Sequence, residues 1–303
     1  MKTRFDVHQE ITNRIVAAIE AGAGEFKLPW HRAASTRSPI NATTGRAYRG
    51  VNILSLWITT QALGYESHEW ATFKQWQERG VNVRKGEKGT PIVFYKNLHV
   101  ESSDVDASED AEGGRTIPFA RASWVFNAAQ VDGHAVQAAA LPERPLFERI
   151  ASVDRVIEAT GAQIEYGGSR ACYNRLTDRI SIPDERAFFG TETSTAQEAF
   201  YSTILHELAH HSGSESRLNR EKGKRFADRA YAFEELIAEL SAAFLCSELG
   251  ITNDPRPDHA QYMAQYLAIL KNDKKAIFTA AAAASAATDF VLAFSRKEQE
   301  DAA

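Results

Sequence analysis

The stretch "STILHELAHHSG", residues 202 to 213, carries three of the chain's nine histidines. His206-Glu207-Leu208-Ala209-His210 spells H-E-x-x-H. On a helix, at about 100° per residue, Phe200, Tyr201, Ile204, Leu205 and Leu208 form one apolar stripe facing a core. His206 and His210 share the opposite face one turn apart, where two imidazoles at i and i+4 can reach one ion. Glu207 is rotated away from that direction, so it is poorly placed to ligate and well placed to take a proton from water at the ion. The plain alternative is a solvated helix face that carries the pattern by chance. His211, directly after the motif, reads as a surface residue.

A catalytic zinc site needs three protein ligands, so a second element must contribute. In "YAFEELIAELSAAFLCSELG", residues 231 to 250, Phe233, Leu236, Ile237, Leu240 and Phe244 form the apolar stripe. Glu235 and Glu239 lie together opposite it, near the small Ala242 and Cys246, while Glu234 points elsewhere. Two glutamates at i and i+4 fit a ligand plus a carboxylate that orients a ligand histidine. Such a set takes one divalent ion, with zinc foremost and manganese or cobalt also accommodated.

Length and composition frame this site. The 303 residues suggest about two domains, and 44% apolar with 25% charged residues is ordinary for a globular protein. No apolar signal segment opens the chain. Cys172 and Cys246 form no disulfide framework and fit a reducing cytoplasm. The alanine-rich stretch 276–294 carries Asp289 and reads as a bundle helix, with no membrane partner. The net charge of −5 is uneven: residues 1–100 hold 14 Lys and Arg against 8 Asp and Glu, and the remainder 21 against 32. A basic front part suits a polyanion.

Hydrophobic periodicity predicts helices over 5–22, 51–64 and 72–80, then a strand, a basic glycine turn and a strand over 81–100. The acidic segment 101–114 reads as a solvated loop between paired strands. The domain boundary is placed in the proline-bearing stretch near 143/144, giving domains 1–143 and 144–303. Behind it follow a helix, strands with a hairpin in "ACYNRLTDRISIP", the two helices of the metal site and two further helices.

"HELAHHSG", "SRLNR" and "YAFEELIAELSAAFLCSELGI" resemble the zincin-type metallopeptidase domain of plasmid antirestriction proteins of the ArdC type. "INATTGRAYRGVNILSLW" and "WATFKQWQERGVNVRKGEKGTPIVFYK" resemble the single-stranded-DNA-binding domain at the front of the same proteins. The resemblance implies an α+β chain of two domains, a mixed helix/strand front and a zincin-like back. It makes His206 and His210 metal ligands and Glu207 the catalytic base; Glu235 matches the third ligand and Glu239 the orienting carboxylate, with the reverse assignment of these two glutamates left open. It also implies protection of incoming plasmid DNA from host restriction during conjugation. Tyr173, Tyr231 and Arg217 are candidates for stabilising a developing oxyanion, and the strand at 172–183 for pairing with a peptide substrate.

In the front part, Arg46, Tyr48, Arg49 and Asn52, then Arg84, Lys85 and Lys88 in the glycine turn, are the candidate DNA contacts. Trp57, Trp70 and Trp76 sit in apolar helical patterns and read as core. Nothing resembles a helix that reads the major groove, so little sequence specificity is expected. Two other readings stand beside this one. The protein could be a non-catalytic DNA-binding protein with a structural metal. It could also be a metallopeptidase whose basic front recruits a protein substrate, such as a restriction enzyme.

Overall fold

Threonine caps start two of the helices, at Thr72 and Thr195. The computed structural model describes residues 5–22, 37–100, 115–134, 146–190, 194–220, 229–252 and 259–301. The acidic segment 101–114 and the boundary at 143/144 lie outside these residues. The front part contains α1 (Val7–Gly22), β1 (Ile40–Asn41), α2 (Val51–Leu63), β2 (Glu69–Thr72), α3 (Phe73–Glu78), β3 (Asn82–Val83), β4 (Thr90–Val100), β5 (Arg115–Asn127) and β6 (Val131–Asp132). The back part contains α4 (Leu146–Ala159), β7 (Gln163–Gly168), β8 (Cys172–Asn174), β9 (Arg179–Pro183), α5 (Ala196–Ser212), α6 (Arg229–Leu249), α7 (His259–Asn272) and α8 (Ala276–Asp301). The chain is α+β, as the resemblance implies.

The front sheet has the order β1-β2-β5-β4, with β1 and β2 parallel and the other pairs antiparallel. Its β4 edge is closed by α2: the Asn52 amide donates to Val93 C=O at 2.9 Å and accepts from Val93 N–H at 2.8 Å. Ser55 Oγ donates to Pro91 C=O at 2.8 Å. These side chains take the place of a neighbouring strand and satisfy backbone groups that would otherwise invite pairing. The glycine turn is not the tip of one hairpin, as the sequence suggests. β3 pairs with β6 and β4 with β5, so the turn links two sheets.

In the back sheet the order is β7-β9-β8, which leaves β8 as an edge strand beside α5. The turn between β8 and β9 is closed by Asp178 at φ 53°. Helix α5 starts with a reciprocal cap between Thr195 and Glu198. Glu198 also accepts from Thr252 N–H and Oγ1, which ties the start of α5 to the end of α6.

The two parts share one core. A continuous buried cluster runs from Ile11, Ile15 and Trp57 in front to Phe244, Tyr266, Ile277 and Ala281 behind. Trp57 meets Phe244 edge-on, with ring centroids 5.7 Å apart. Gly50 N–H donates to Ser285 Oγ at 3.0 Å, and Thr12 Oγ1 to Lys274 C=O at 2.8 Å. Gly50 has φ 58°, a region that disfavours side chains, and its Cα faces the backbone of Ala281 and Ala282. Helix α8 is long and apolar enough to cross a bilayer, yet half of that stretch is buried within the fold. Ala280, Ala281, Ala284, Val291 and Leu292 are among its buried residues.

Candidate metal centre and nucleic-acid face

Helices α5 and α6 pack side by side and bring a buried cluster of two histidines and several carboxylates together. Glu235 lies between the imidazoles, with Oε2 3.6 Å from His206 Nε2 and Oε1 3.4 Å from His210 Nε2. One donor atom from each of these three residues falls within 4.8 Å of the others. Two imidazole nitrogens and a carboxylate oxygen at this spacing, shielded from bulk water, fit a divalent cation. Glu239 faces the other side of His206, with Oε1 3.3 Å from Nδ1. Glu235 thus lies between the two Nε2 atoms, and Glu239 lies against Nδ1 of His206, where it can orient the ring.

Glu234 does not point elsewhere. It is buried, and its Oε1 lies 3.4 Å from His210 Nδ1, the counterpart of Glu239 on His206. Both histidines thus have a carboxylate on their rear nitrogen. Burial opposes the charged form of His210, but Glu235 and Glu234 outweigh it and raise its pKa. Burial likewise opposes ionisation of Glu235, and the two imidazoles reverse this, holding it below the ordinary carboxylate range. The clustering of opposite charges is the electrostatic signature of the site.

Helix α5 is buried on every side from Ser202 to Ser212, not solvated on its polar face. Glu207, adjacent to His206 in the chain, is also buried. His211 is not a surface residue either. It is buried, edge-on to Tyr173 at 5.5 Å, and burial first and Arg217 next push its pKa down to about 4. The wheel placed these residues correctly relative to the apolar stripe but could not show that β8 and α6 cover the other side.

The three oxyanion candidates separate. Tyr173 OH donates to Asp178 at 2.7 Å, and Arg217 donates to that phenol at 2.9 Å, to Asp178 and to His211 C=O. These two are engaged with one another beside β8. Tyr231 is one turn before Glu235 and in hydrogen-bond contact with it and with Tyr262. Burial, then the charge of Glu235, raises its phenol pKa, so it remains a hydrogen-bond donor. Of the three, Tyr231 is the one that contacts a residue of the ligand set.

The front residues also sort themselves. Tyr48 is buried, with burial pushing its phenol up to about 12, and its OH donates to Trp70 C=O. Asn52 is the buried clamp on β4. Both are corrected from DNA contacts to parts of the fold, because packing, not sequence spacing, decides exposure. Arg49 is paired with Asp289 of α8. Arg84 is pinned by Glu87 at 2.9 Å and by the carbonyls of Ala129 and Val131. Arg46, Lys85 and Lys88 are exposed.

Trp57, Trp70 and Trp76 are core residues. Sequence reasoning missed the aromatics that do face outward. Trp124 is 45% exposed on β5 and shares its face with the half-buried Phe126, because side chains two apart on a strand point the same way. Phe73 (48% exposed) lies 6.3 Å from Phe126, and Phe5 5.2 Å from Trp124. Gly89, next to Lys88, has its Cα against Trp124 and Phe126. The alternation in "FARASWVFN" was the available signal.

Residues 5–126 match the family model for the N-terminal domain of anti-restriction factor ArdC, and residues 151–283 that for a zincin-like metallopeptidase. Protein y4eC of Sinorhizobium fredii is 40% identical over 99% of this chain and 95% of its own length. A DNA primase TraC of Escherichia coli is 34% identical over 97% of this chain, which spans 28% of that protein. The metal-free crystal structure of the antirestriction ArdC protein from the R388 plasmid has TM-score 0.79 and 36% identity, covering 97% of this chain and 99% of that one. Its Mn(II)-bound form has TM-score 0.77 and 35% identity, covering 96% and 98%. With both halves matched in order, and with y4eC and the R388 protein covered almost end to end, the chain belongs to the ArdC family of antirestriction proteins.

Proposed function

We propose that this protein binds single-stranded DNA through its front part and carries a metal-dependent peptide-hydrolysing centre behind, protecting incoming plasmid DNA in the cytoplasm during conjugation. The carrying observation is the buried set of His206, His210 and Glu235 with Glu207 beside it. These three residues would hold the ion, and the Mn(II)-bound R388 relative supports a divalent cation, with zinc as the other natural occupant. When bound, such an ion supplies Lewis acidity, polarising a carbonyl and making water a better nucleophile near neutral pH.

The chain's own residues do the rest. Glu207 accepts a proton from the attacking water and returns it to the leaving amine. Glu239 and Glu234 orient the imidazoles through their rear nitrogens. Tyr231 donates toward the developing oxyanion. The β8 edge offers backbone groups to an extended peptide. The test is elemental analysis of purified protein. The expected result is about one ion per chain, lost in His206→Ala. A parent that stays empty after incubation with zinc or manganese sinks the metal reading.

For DNA, exposed cations and outward aromatics suit phosphates and base faces. Lys85, Lys88 and Arg46 supply the charge, and Trp124 and Phe73 the rings. The expected result is quenching of tryptophan fluorescence by an oligothymidine, weakened by Trp124→Ala by about 1–3 kcal/mol. Lys85→Gln with Lys88→Gln should flatten the salt dependence. Binding that is absent, or indifferent to salt, favours a front part that recruits a protein.

A further inference from the structure

Arg220 belongs to neither helix of the metal centre, yet it ties them together. Its Nε and Nη2 grip both oxygens of Glu234 on α6, at 3.1 and 2.8 Å. On the α5 side, Nη1 donates to Ser212 Oγ at 2.9 Å and Nη2 to Ala209 C=O at 2.6 Å. The Arg220 side chain is 10% exposed and that of Glu234 3%. A two-pronged guanidinium–carboxylate pair fixes orientation as well as charge, which a lysine cannot reproduce.

The end of α5 is shaped to admit this guanidinium. A Cβ on Gly213 would lie 2.6 Å from Arg220 Nη2 and 2.8 Å from its Cζ. Gly213 has φ −84°, which any residue adopts, so the glycine supplies space, not backbone freedom. The glycine that ends "HELAHHSG" is thus a seat for Arg220.

We infer that Arg220 is a positioning residue for the metal centre. By occupying both oxygens of Glu234, it holds that carboxylate against His210 Nδ1 and keeps it from competing with its neighbour Glu235 for the ion. An ionised Glu234 accepting from Nδ1–H fixes the tautomer that leaves the Nε2 lone pair free on the Glu235 side. The inference rests on reading His206, His210 and Glu235 as the ligands.

Its test is titration of the metal-free, full-length protein with Mn(II), following the free ion by electron paramagnetic resonance, with thermal melting as the measure of folding. Arg220→Gln removes the fork. Gly213→Ala leaves every charge in place and only evicts the guanidinium, and it serves if Arg220→Gln fails to fold. Each is expected to bind Mn(II) roughly 10–100-fold more weakly, with Arg220→Lys recovering part of the loss. A folded Gly213→Ala or Arg220→Gln protein that binds Mn(II) as tightly as the parent overturns the inference and leaves the ligand set standing. A parent that binds no better than His206→Ala overturns both.

Discussion

Glu207→Gln is expected to leave the ion in place and abolish turnover. Glutamine keeps the size and the buried position of Glu207 but cannot accept the proton. General-base catalysis contributes on the order of 10²–10⁴-fold, so hydrolysis of an unfolded protein such as casein should fall by that factor. Metal content and melting temperature should match the parent, because the proposed ligands are His206, His210 and Glu235. The informative measurement pairs this assay with plasmid transfer into a restricting host. If protection is lost with turnover, hydrolysis is part of antirestriction. If protection survives in a variant that no longer cleaves, the centre serves structure or recognition, and DNA binding carries the function.

The second large effect concerns stability. Trp57→Ala is expected to cost about 3–5 kcal/mol, the usual penalty for deleting a large aromatic from a core. Trp57 is 2% exposed and lies in the front part, but its ring packs on Phe244 of α6, the helix that carries Glu235. Unfolding should therefore remain a single transition, shifted as a whole, with metal binding and any DNA binding lost together. Calorimetry decides this. Two separable transitions, with metal binding surviving the first, would mean that the parts are independent folding units despite their shared core.

The grouping of side chains at the candidate metal centre was largely legible in the sequence because it depends on periodicity within two helices. His206 and His210 one turn apart, and Glu235 and Glu239 likewise, follow from helical spacing alone. Glu234 and Arg220 were not legible, since their roles arise where α6 meets the loop after α5. The wheel assigns Glu234 a direction but not a neighbour. The same limit explains the front part. Tyr48 and Asn52 look like ligand contacts in a polar, basic stretch, and only packing, of Tyr48 against Asn41 and Trp70 and of Asn52 on β4, buries them. Trp124 was hidden by the reverse effect, an aromatic residue in an apolar strand that happens to face outward. The pairing of β3 with β6 was missed because a glycine turn between two strands reads as a hairpin until a third strand competes.

The seam between Gly50 and α8 has a bearing on descent. Helix α8 lies in the peptidase half of the sequence yet forms a wall for the front half, and its alanines are the counter-surface of a glycine more than 200 residues away. Exchange of one half between relatives would replace one side of this seam and of the shared core, so the two halves make a single unit for inheritance as well as for folding. The TraC primase fits this pattern: 97% of the present chain is matched within a much longer protein, both halves retained side by side.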